Sequence, residues 1–151
     1  MERADERSSG APRLAQGWCA LSALHDRIEA HIERALQDAH GLSVREYSVL
    51  DVLSGQHDGE GGHFRMTALA DAVVLSQSAT TRLVNRLEDR DLLTRYLCPT
   101  DRRGIYTDVT PAGLELLEQA RPTNEEALAE ALAAAERRPE LAPLVAAVRA
   151  L

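Results

Sequence analysis

Residues 66–110 constrain the fold more than any other part of this 151-residue chain. Two short runs with helical periodicity are followed by two strand-like runs, and a further helical run begins at Pro111. The strand-like runs, residues 92–98 and 105–109, are rich in branched and aromatic residues and are joined by Pro-Thr-Asp-Arg-Arg-Gly. The pattern predicts two helices separated by a turn, and then a hairpin whose tip carries arginines.

The two short helices have recognisable starts. Thr67 is placed to cap a helix over residues 66–74, and Ser76 is placed to cap a second helix that reaches about Arg90. Apolar residues of the second helix can pack on the first, and we expect the other face to carry Gln77, Ser78, Thr80, Thr81, Arg82, Asn85 and Arg86. Such side chains can read base edges in the major groove of DNA. A solvated amphipathic helix shows the same pattern, so the hairpin has to decide between the two interpretations.

The hairpin favours the interpretation that the second helix binds DNA. Asp101 is spaced to hold Arg103 by a charge-assisted hydrogen bond at the tip. An arginine fixed on a rigid hairpin suits the narrow minor groove, where the negative potential is enhanced.

The net charge of −7 is unexpected for a DNA-binding protein, because contacts with phosphates need cationic side chains. The distribution of the charges along the chain nevertheless agrees with DNA binding. Residues 64–106 contain seven arginines and five acidic residues, a balance of +2, whereas the remainder of the chain carries −9. A cationic segment in an acidic chain indicates that one face meets DNA and the rest does not.

The remainder of the chain is predicted to be helical. Residues 1–10 are polar and expected to be disordered, and an apolar stripe from Leu14 to about Ala39 predicts a long amphipathic helix. Ser43 with Glu46 forms a capping box that starts the next helix. Glycines at 55–62 indicate a loop, and Pro122 predicts a kink or restart in the last long helix.

Several classes of protein are not expected. No window approaches the roughly 20 apolar residues of a membrane span, and the N-terminal residues lack the apolar run of a secretion signal, so we expect a soluble, cytoplasmic protein with no membrane partner. The chain has no Gly-rich phosphate loop, nucleophile elbow or paired catalytic carboxylates, so we expect no enzyme and no cofactor. His25 and Glu29 are one helical turn apart, but no cluster has metal-ligand spacing, so we expect no metal.

Three sequence elements together resemble the MarR (multiple antibiotic resistance regulator) family of transcription factors: LADAVVLSQSATTRLVNRLEDRDLL, Asp101-x-Arg103 and Thr110-Pro-Ala-Gly113. The resemblance extends over residues 14–150. It implies a mainly α fold with a small β-wing, forming a single MarR-like domain over residues 11–151. In that domain a winged helix-turn-helix lobe, residues 43–110, contains a recognition helix (76–90) and a wing (92–109). N- and C-terminal helices, residues 11–40 and 111–151, would form the dimerisation region.

The same resemblance implies a homodimer, acting as a repressor on double-stranded DNA, with each lobe on one half of a palindrome and half-sites ~34 Å apart. Contacts in the major groove would come from Gln77, Ser78, Thr80, Thr81 and Arg82. Arg103 would enter the minor groove, and the phosphate contacts would come from Arg86, Arg95 and Arg102. Asp91 stands where the family usually has glycine, at a position that often needs a left-handed backbone.

The resemblance also implies release from DNA by a small aromatic or lipophilic ligand. Its pocket would be lined by Trp18, His25, Tyr47 and Asp51, although Trp18 is equally well explained as a dimer-core residue.

Two alternatives stay open. Cys19 lies where peroxide-sensing members carry a reactive cysteine, which would make the chain a thiol-based redox regulator. We expect an inert, half-buried thiol, because Ala23 and Glu33 stand where those sensors have tyrosines. The other alternative is a protein-interaction module with no DNA binding, and the polar outer face of the second helix argues against it.

Overall fold

A computed structural model of the chain describes residues 10–55, 66–98 and 101–151, and for residues 10–12, 98 and 101–104 it describes the backbone only. The described residues form six α-helices and one two-stranded antiparallel sheet, which confirms the predicted mainly α fold with a small β-wing. In chain order the elements are α1 (Gly10–His40), α2 (Val44–Ser54), α3 (Met66–Ala72), α4 (Gln77–Asp89), β1 (Leu93–Cys98), β2 (Asp101–Val109), α5 (Pro111–Glu136) and α6 (Ala142–Ala150). The predicted disorder of residues 1–9 and most of the predicted loop at 55–62 fall on residues outside this description, whereas Gly10, also predicted to be disordered, is the first residue of α1.

The chain divides into two compact units. Unit 1 combines the start of the chain through Ala35 with Asn124–Leu151, and unit 2 is Leu36–Thr123. The boundary therefore falls inside α1 and inside α5. The assignment of residues 11–40 and 111–151 to dimerisation stays a prediction.

The starts of α2 and α4 follow the predicted capping residues. The Ser43 hydroxyl accepts a hydrogen bond from the Glu46 amide at 3.0 Å, and the Glu46 carboxylate accepts one from the Ser43 amide at 3.1 Å. Ser76 accepts a hydrogen bond from the Ala79 amide at 3.2 Å. Each cap satisfies backbone donors that would otherwise lack a partner in the first helical turn, so both helices begin where the sequence predicts.

The helix-turn-helix packs as predicted, with two corrections. Leu69 of α3 and Val84 and Leu87 of α4 are completely buried. However, α3 already begins at Met66, so Thr67 lies within its first turn and is not its cap. The helix also ends at Ala72 rather than at Val74, because Val74 adopts a left-handed backbone (φ 55°) and the next amide, that of Leu75, bonds back to the Ala70 carbonyl.

The wing is a hairpin in which Tyr96 and Tyr106 face each other and stack with ring centroids 6.0 Å apart. Strand β2 starts at Asp101, four residues before the predicted start at Ile105, and Asp101 pairs with Cys98 across an irregularity in the register. Strand pairing is made by the main chain, so the polar Asp-Arg-Arg-Gly segment can take part without apolar side chains.

The base of the wing is fixed by contacts around Thr110. The Thr110 hydroxyl donates to the Asp91 carbonyl at 2.6 Å and accepts from the Gly113 amide at 3.0 Å, so Thr110 caps α5 as predicted. Asp91 has the predicted left-handed backbone, with φ 59°. A Cβ on Gly113 would collide with the Leu92 carbonyl oxygen and lie 2.7 Å from Val109 Cγ1. Glycine is therefore required where α5 passes Leu92, just after the end of α4.

Helix α5 continues through Pro122 as a single element, so the predicted restart near residue 122 is wrong. Thr123 does not cap a new helix, because its hydroxyl is hydrogen-bonded to the ring of His40 at 2.8 Å. The last helix, α6, has Pro143 in its first turn, where a proline removes no helical hydrogen bond.

Unit 1 has an apolar core formed by Leu24, Leu132, Ala135, Leu141 and Val145. Four of these residues come from the C-terminal third of the chain, so part of its apolar surface is buried within its own chain. The large apolar residues that unit 1 leaves exposed are Leu14, Trp18, Leu21, Val148 and Leu151.

Candidate nucleic-acid interface

The N-terminal half of α4 presents a polar surface to solvent. Gln77, Ser78, Arg82, Asn85 and Arg86 are exposed, and Thr81 is partly exposed. This surface includes the N-terminal end of α4, where the helix dipole favours an approaching phosphate. The structure therefore places most of the predicted reading residues on one accessible surface.

Thr80 is the exception, and its predicted outward position is wrong. Its side chain is fully buried, and its hydroxyl donates to the Ser76 carbonyl at 3.0 Å. Thr80 precedes Val84 by four residues and Leu87 by seven, so helical spacing puts it on the apolar face despite its polarity. Thr80 cannot contact a base unless α4 moves.

Arg82 and Arg86 lie along a groove between α4 and the start of α2. The groove has a volume of about 370 Å³, and Arg45 of α2 lines its other side together with Ser43. Sequence reasoning missed Arg45 because it treats α2 as scaffold. Its position two residues after the Ser43 cap was the available signal, since such a residue lies in the first turn of its helix.

Glu46 connects α2 to the same surface of α4. Only 8% of Glu46 is exposed, and its carboxylate lies 3.6 Å from Nε of Arg86 and 3.5 Å from Nη1 of Arg90. Arg90 also donates to the Gly41 carbonyl at 3.0 Å. Arg90 therefore ties α4 to the end of α1, whereas the Arg86 side chain remains 57% exposed and can still meet a phosphate.

Arg95 is engaged at the base of the wing. Its Nε and Nη2 donate to the two carboxylate oxygens of Glu88 at 3.1 and 3.0 Å. These hydrogen bonds from Arg95 lower the pKa of Glu88, and the same hydrogen bonds raise the pKa of Arg95. The phosphate contact predicted for Arg95 would have to compete with this bidentate pair.

The wing-tip residues Asp101, Arg102 and Arg103 form the start of β2. The structure describes their backbone but not their side chains. This applies to the predicted salt bridge between Asp101 and Arg103, to the minor-groove role of Arg103 and to the phosphate role of Arg102. All three stay predictions.

The residues predicted to line a ligand pocket fall in different units. Trp18 and His25 belong to unit 1, and Trp18 is 67% exposed, whereas Tyr47 and Asp51 belong to unit 2. The Asp51 carboxylate accepts a hydrogen bond from Arg121 at 3.1 Å, which gives it a structural partner. The pocket stays a prediction.

Cys19 is a free thiol and is exposed rather than half-buried, so the predicted burial is wrong. The reason is its place on the outer side of the N-terminal part of α1, where the neighbouring residues Trp18 and Leu21 are exposed too. His25 lies 3.8 Å from Glu29, and the described residues contain no group of three or more His, Cys, Asp or Glu side chains that could hold a metal ion.

The sequence and the fold of the chain are similar to those of known transcriptional regulators. A sequence model of the MarR family matches residues 40–104, which include α2, both helices of the helix-turn-helix and most of the wing. Residues 40–104 of the chain belong to the MarR family. Members of this family are transcriptional regulators and not enzymes. Within the described residues, no helix is both long enough and apolar enough to span a bilayer.

Individual MarR relatives cover most of the chain. Over 103 residues it is 31% identical to the HTH-type transcriptional regulator MhqR of Bacillus subtilis (strain 168), in an alignment that covers 68% of this chain and 64% of MhqR. The chain thus spans slightly less than two thirds of that curated relative. Sco3205, a MarR family transcriptional regulator from Streptomyces coelicolor solved in complex with DNA, is 27% identical with a TM-score of 0.69, covering 87% of this chain and 86% of Sco3205.

A relative solved with a bound small molecule has the same sequence identity to this chain as Sco3205 has. CouR from Rhodococcus jostii RHA1, solved with bound p-coumaroyl-CoA, is 27% identical with a TM-score of 0.64, and the alignment covers 85% of this chain and 83% of CouR. Solved MarR relatives thus include one that holds DNA and one that holds a small molecule.

Proposed function

We propose that this chain is a sequence-specific DNA-binding transcriptional regulator that reads the major groove with α4. The observation that carries the proposal is the exposed polar surface at the N-terminal end of α4, where Gln77, Ser78 and Arg82 stand clear of the apolar core. Glutamine, serine and arginine are suited to hydrogen bonds with base edges. The similarity to Sco3205, which was solved with DNA, supports the same use of the fold.

Phosphate contacts would come from the arginines that flank this surface. Arg86 remains exposed beside Glu46, and Arg45 lies across the groove from it. The wing would add Arg103 in the minor groove and Arg102 on the adjacent phosphates. Thr80 has no place among these contacts, because it is buried.

We further propose that the regulator is a homodimer that binds a palindrome as a repressor. Support comes from Leu14, Trp18 and Leu21 of α1 and Val148 of α6, large apolar side chains that unit 1 leaves in water. A second copy that covers them would place two α4 helices on one duplex. Release by a small aromatic or lipophilic ligand is supported by the ligand-bound CouR relative, and such a regulator would act in the cytoplasm.

A gel-shift titration with the full chain on the DNA upstream of its own gene tests this function. Binding should weaken steeply between 50 and 200 mM salt, because each phosphate contact releases counterions; about six contacts would reduce the affinity on the order of a thousandfold. Arg82→Gln should reduce binding at all salt concentrations. Ser78→Ala should change which operator variants are preferred.

The matched control is Arg149→Gln, which removes an arginine from α6 that is paired with Glu136 at 3.0 Å and belongs to unit 1 rather than to the unit that contains α4. Its DNA affinity should equal that of the wild type. Absence of binding to any DNA at low salt would contradict the proposal and favour a protein-interaction module. Equal weakening by Arg149→Gln and Arg82→Gln would show that the binding is non-specific.

A further inference from the structure

A second basic surface lies in unit 1, whereas the polar residues of α4 belong to unit 2. A groove of about 610 Å³ runs between α1 and the C-terminal end of α5. Helix α1 contributes Arg27 and Arg34, and the segment directly after α5 contributes Arg137 and Arg138. Four guanidinium groups thus surround one groove, whose volume is in the range of small-molecule sites.

The concentration of arginine is unusual for this unit. The described part of unit 1 has more acidic residues than arginines, and four of its six arginines line the groove. The single carboxylate in the lining belongs to Glu130, which is hydrogen-bonded to His31 at 2.8 Å. Among the described residues, Arg27, Arg34 and Arg137 have no ion-pair partner, and Arg138 has a distant one, Glu140 at 3.7 Å. The groove therefore holds positive charge that its own side chains do not neutralise.

The floor of the groove is made of small side chains. Ala131 and Ala135 are buried beneath it, and Ala30 and Ala134 line it. Because alanine extends no further than Cβ, a bound molecule can approach both helices closely while the longer arginine side chains close over it. The combination of a small apolar floor and a cationic rim fits a compact ligand better than an extended polymer.

The groove would stay open in the proposed homodimer. Residues Leu14, Trp18 and Leu21 define the exposed apolar stripe of α1, whereas Arg27, His31 and Arg34 define the groove side. At 3.6 residues per turn, the two sets point about 140° apart around the helix axis. A partner seated on the apolar stripe does not have to cover the arginines.

We infer that this groove binds a compact polyanion, a small molecule with at least two carboxylate or phosphate groups. The guanidinium group forms paired hydrogen bonds with either group, and several arginines around one floor match a ligand with several negative charges. Neither the MarR assignment nor the DNA-binding function requires this site.

Isothermal titration calorimetry on the full chain tests the inference, with citrate as the carboxylate probe and pyrophosphate as the phosphate probe. At least one of them should bind with one site per chain. The substitutions Arg34→Gln and Arg137→Gln should each weaken that binding about tenfold or more, because each removes a charge-assisted hydrogen bond. Binding of only one probe identifies whether the site prefers carboxylates or phosphates.

The matched control is Arg13→Gln, which removes one exposed arginine from the same helix outside the groove and should leave the affinity unchanged. Circular dichroism of each variant should show unchanged helix content. Three results would overturn the inference: no binding of either probe at millimolar concentration, equal affinity in Arg34→Gln, Arg137→Gln and the wild type, or binding that is lost in Arg82→Gln but retained in Arg34→Gln. The last result would move the anion to the DNA-reading surface.

Discussion

Each of the two units is stabilised internally by a different kind of contact. Unit 2 is rich in directed polar contacts: serine and threonine caps start α2, α4 and α5, and Arg90 joins α4 to the Gly41 carbonyl. Unit 1 depends on a small apolar core around Leu24 and Leu141 and leaves several large apolar side chains in water. The geometry of unit 2 is therefore set within one chain, whereas unit 1 leaves an apolar surface that the proposed homodimer would cover.

A pair of glycine substitutions tests this contrast with the largest expected effect. Gly113→Ala in unit 2 should lower the free energy of unfolding by roughly 2–3 kcal/mol, because the added Cβ collides with the Leu92 carbonyl and with Val109. Gly17→Ala in unit 1 should instead raise it by up to about 1 kcal/mol, because no atom lies within 4 Å and alanine favours the helix. Urea denaturation measures both changes. Similar effects in the two variants would mean that α5 does not pack tightly at the base of the wing.

The apolar stripe of α1 provides the next test. Trp18→Ala should leave the helix content unchanged and weaken the homodimer by about 2 kcal/mol, or roughly thirtyfold in the dissociation constant. The control is Leu97→Ala, which removes a similarly exposed apolar side chain from the wing. Sedimentation velocity over a range of concentrations measures the association. If both variants dimerise like the wild type, Trp18 lies outside the interface.

The two described residues of unit 2 that are left-handed without being glycine, Val74 and Asp91, provide a test in which substitution by glycine should stabilise the chain. Val74→Gly should stabilise the chain by about 1 kcal/mol, because a branched residue is strained at φ 55° and 84% of Val74 is exposed, so little buried surface is lost. Asp91→Gly, at φ 59°, should raise the free energy of unfolding by only a few tenths of a kcal/mol, because aspartate tolerates a left-handed backbone better than valine does. Thermal unfolding of both variants gives the comparison. A loss of stability in Val74→Gly would show that its side chain has a role the free chain does not reveal.

The smallest effect concerns the Glu88–Arg95 pair. Hydrogen bonds from Arg95 hold the pKa of Glu88 below its usual value of about 4.5, so the pair stabilises the fold above that pH and loses its contribution as pH falls through the lowered pKa. Because both side chains are about one third exposed, Glu88→Gln should cost only about 0.5 kcal/mol at pH 7.

Unfolding measured between pH 7 and pH 3 should show that the difference between the wild type and Glu88→Gln disappears at the acid end. The control Glu118→Gln, at an exposed position of α5, should show no such pH-dependent difference. Identical curves for Glu88→Gln and the wild type at all pH values would mean that the pair contributes nothing to stability.

Features set by local chemistry could be predicted from the sequence. The Ser43 box and the Ser76 cap depend on residues within a few positions of one another, whereas the left-handed backbone of Asp91 was expected from the resemblance to the family. Thr80 was misassigned because its polarity was given more weight than its helical spacing. The arginine groove could not be predicted, because it exists only when the middle of α1 packs against the end of α5, about one hundred residues later in the chain.

The central claim is that two copies of the chain read two halves of one DNA site through α4. Selection of bound duplexes from a random-sequence library, followed by sequencing, tests it most directly. The account predicts an enriched inverted repeat with half-site centres about 10 base pairs apart, and a changed repeat when Ser78→Ala is used. A library that is not enriched, or that converges on a single unrepeated site bound by one chain, would contradict it.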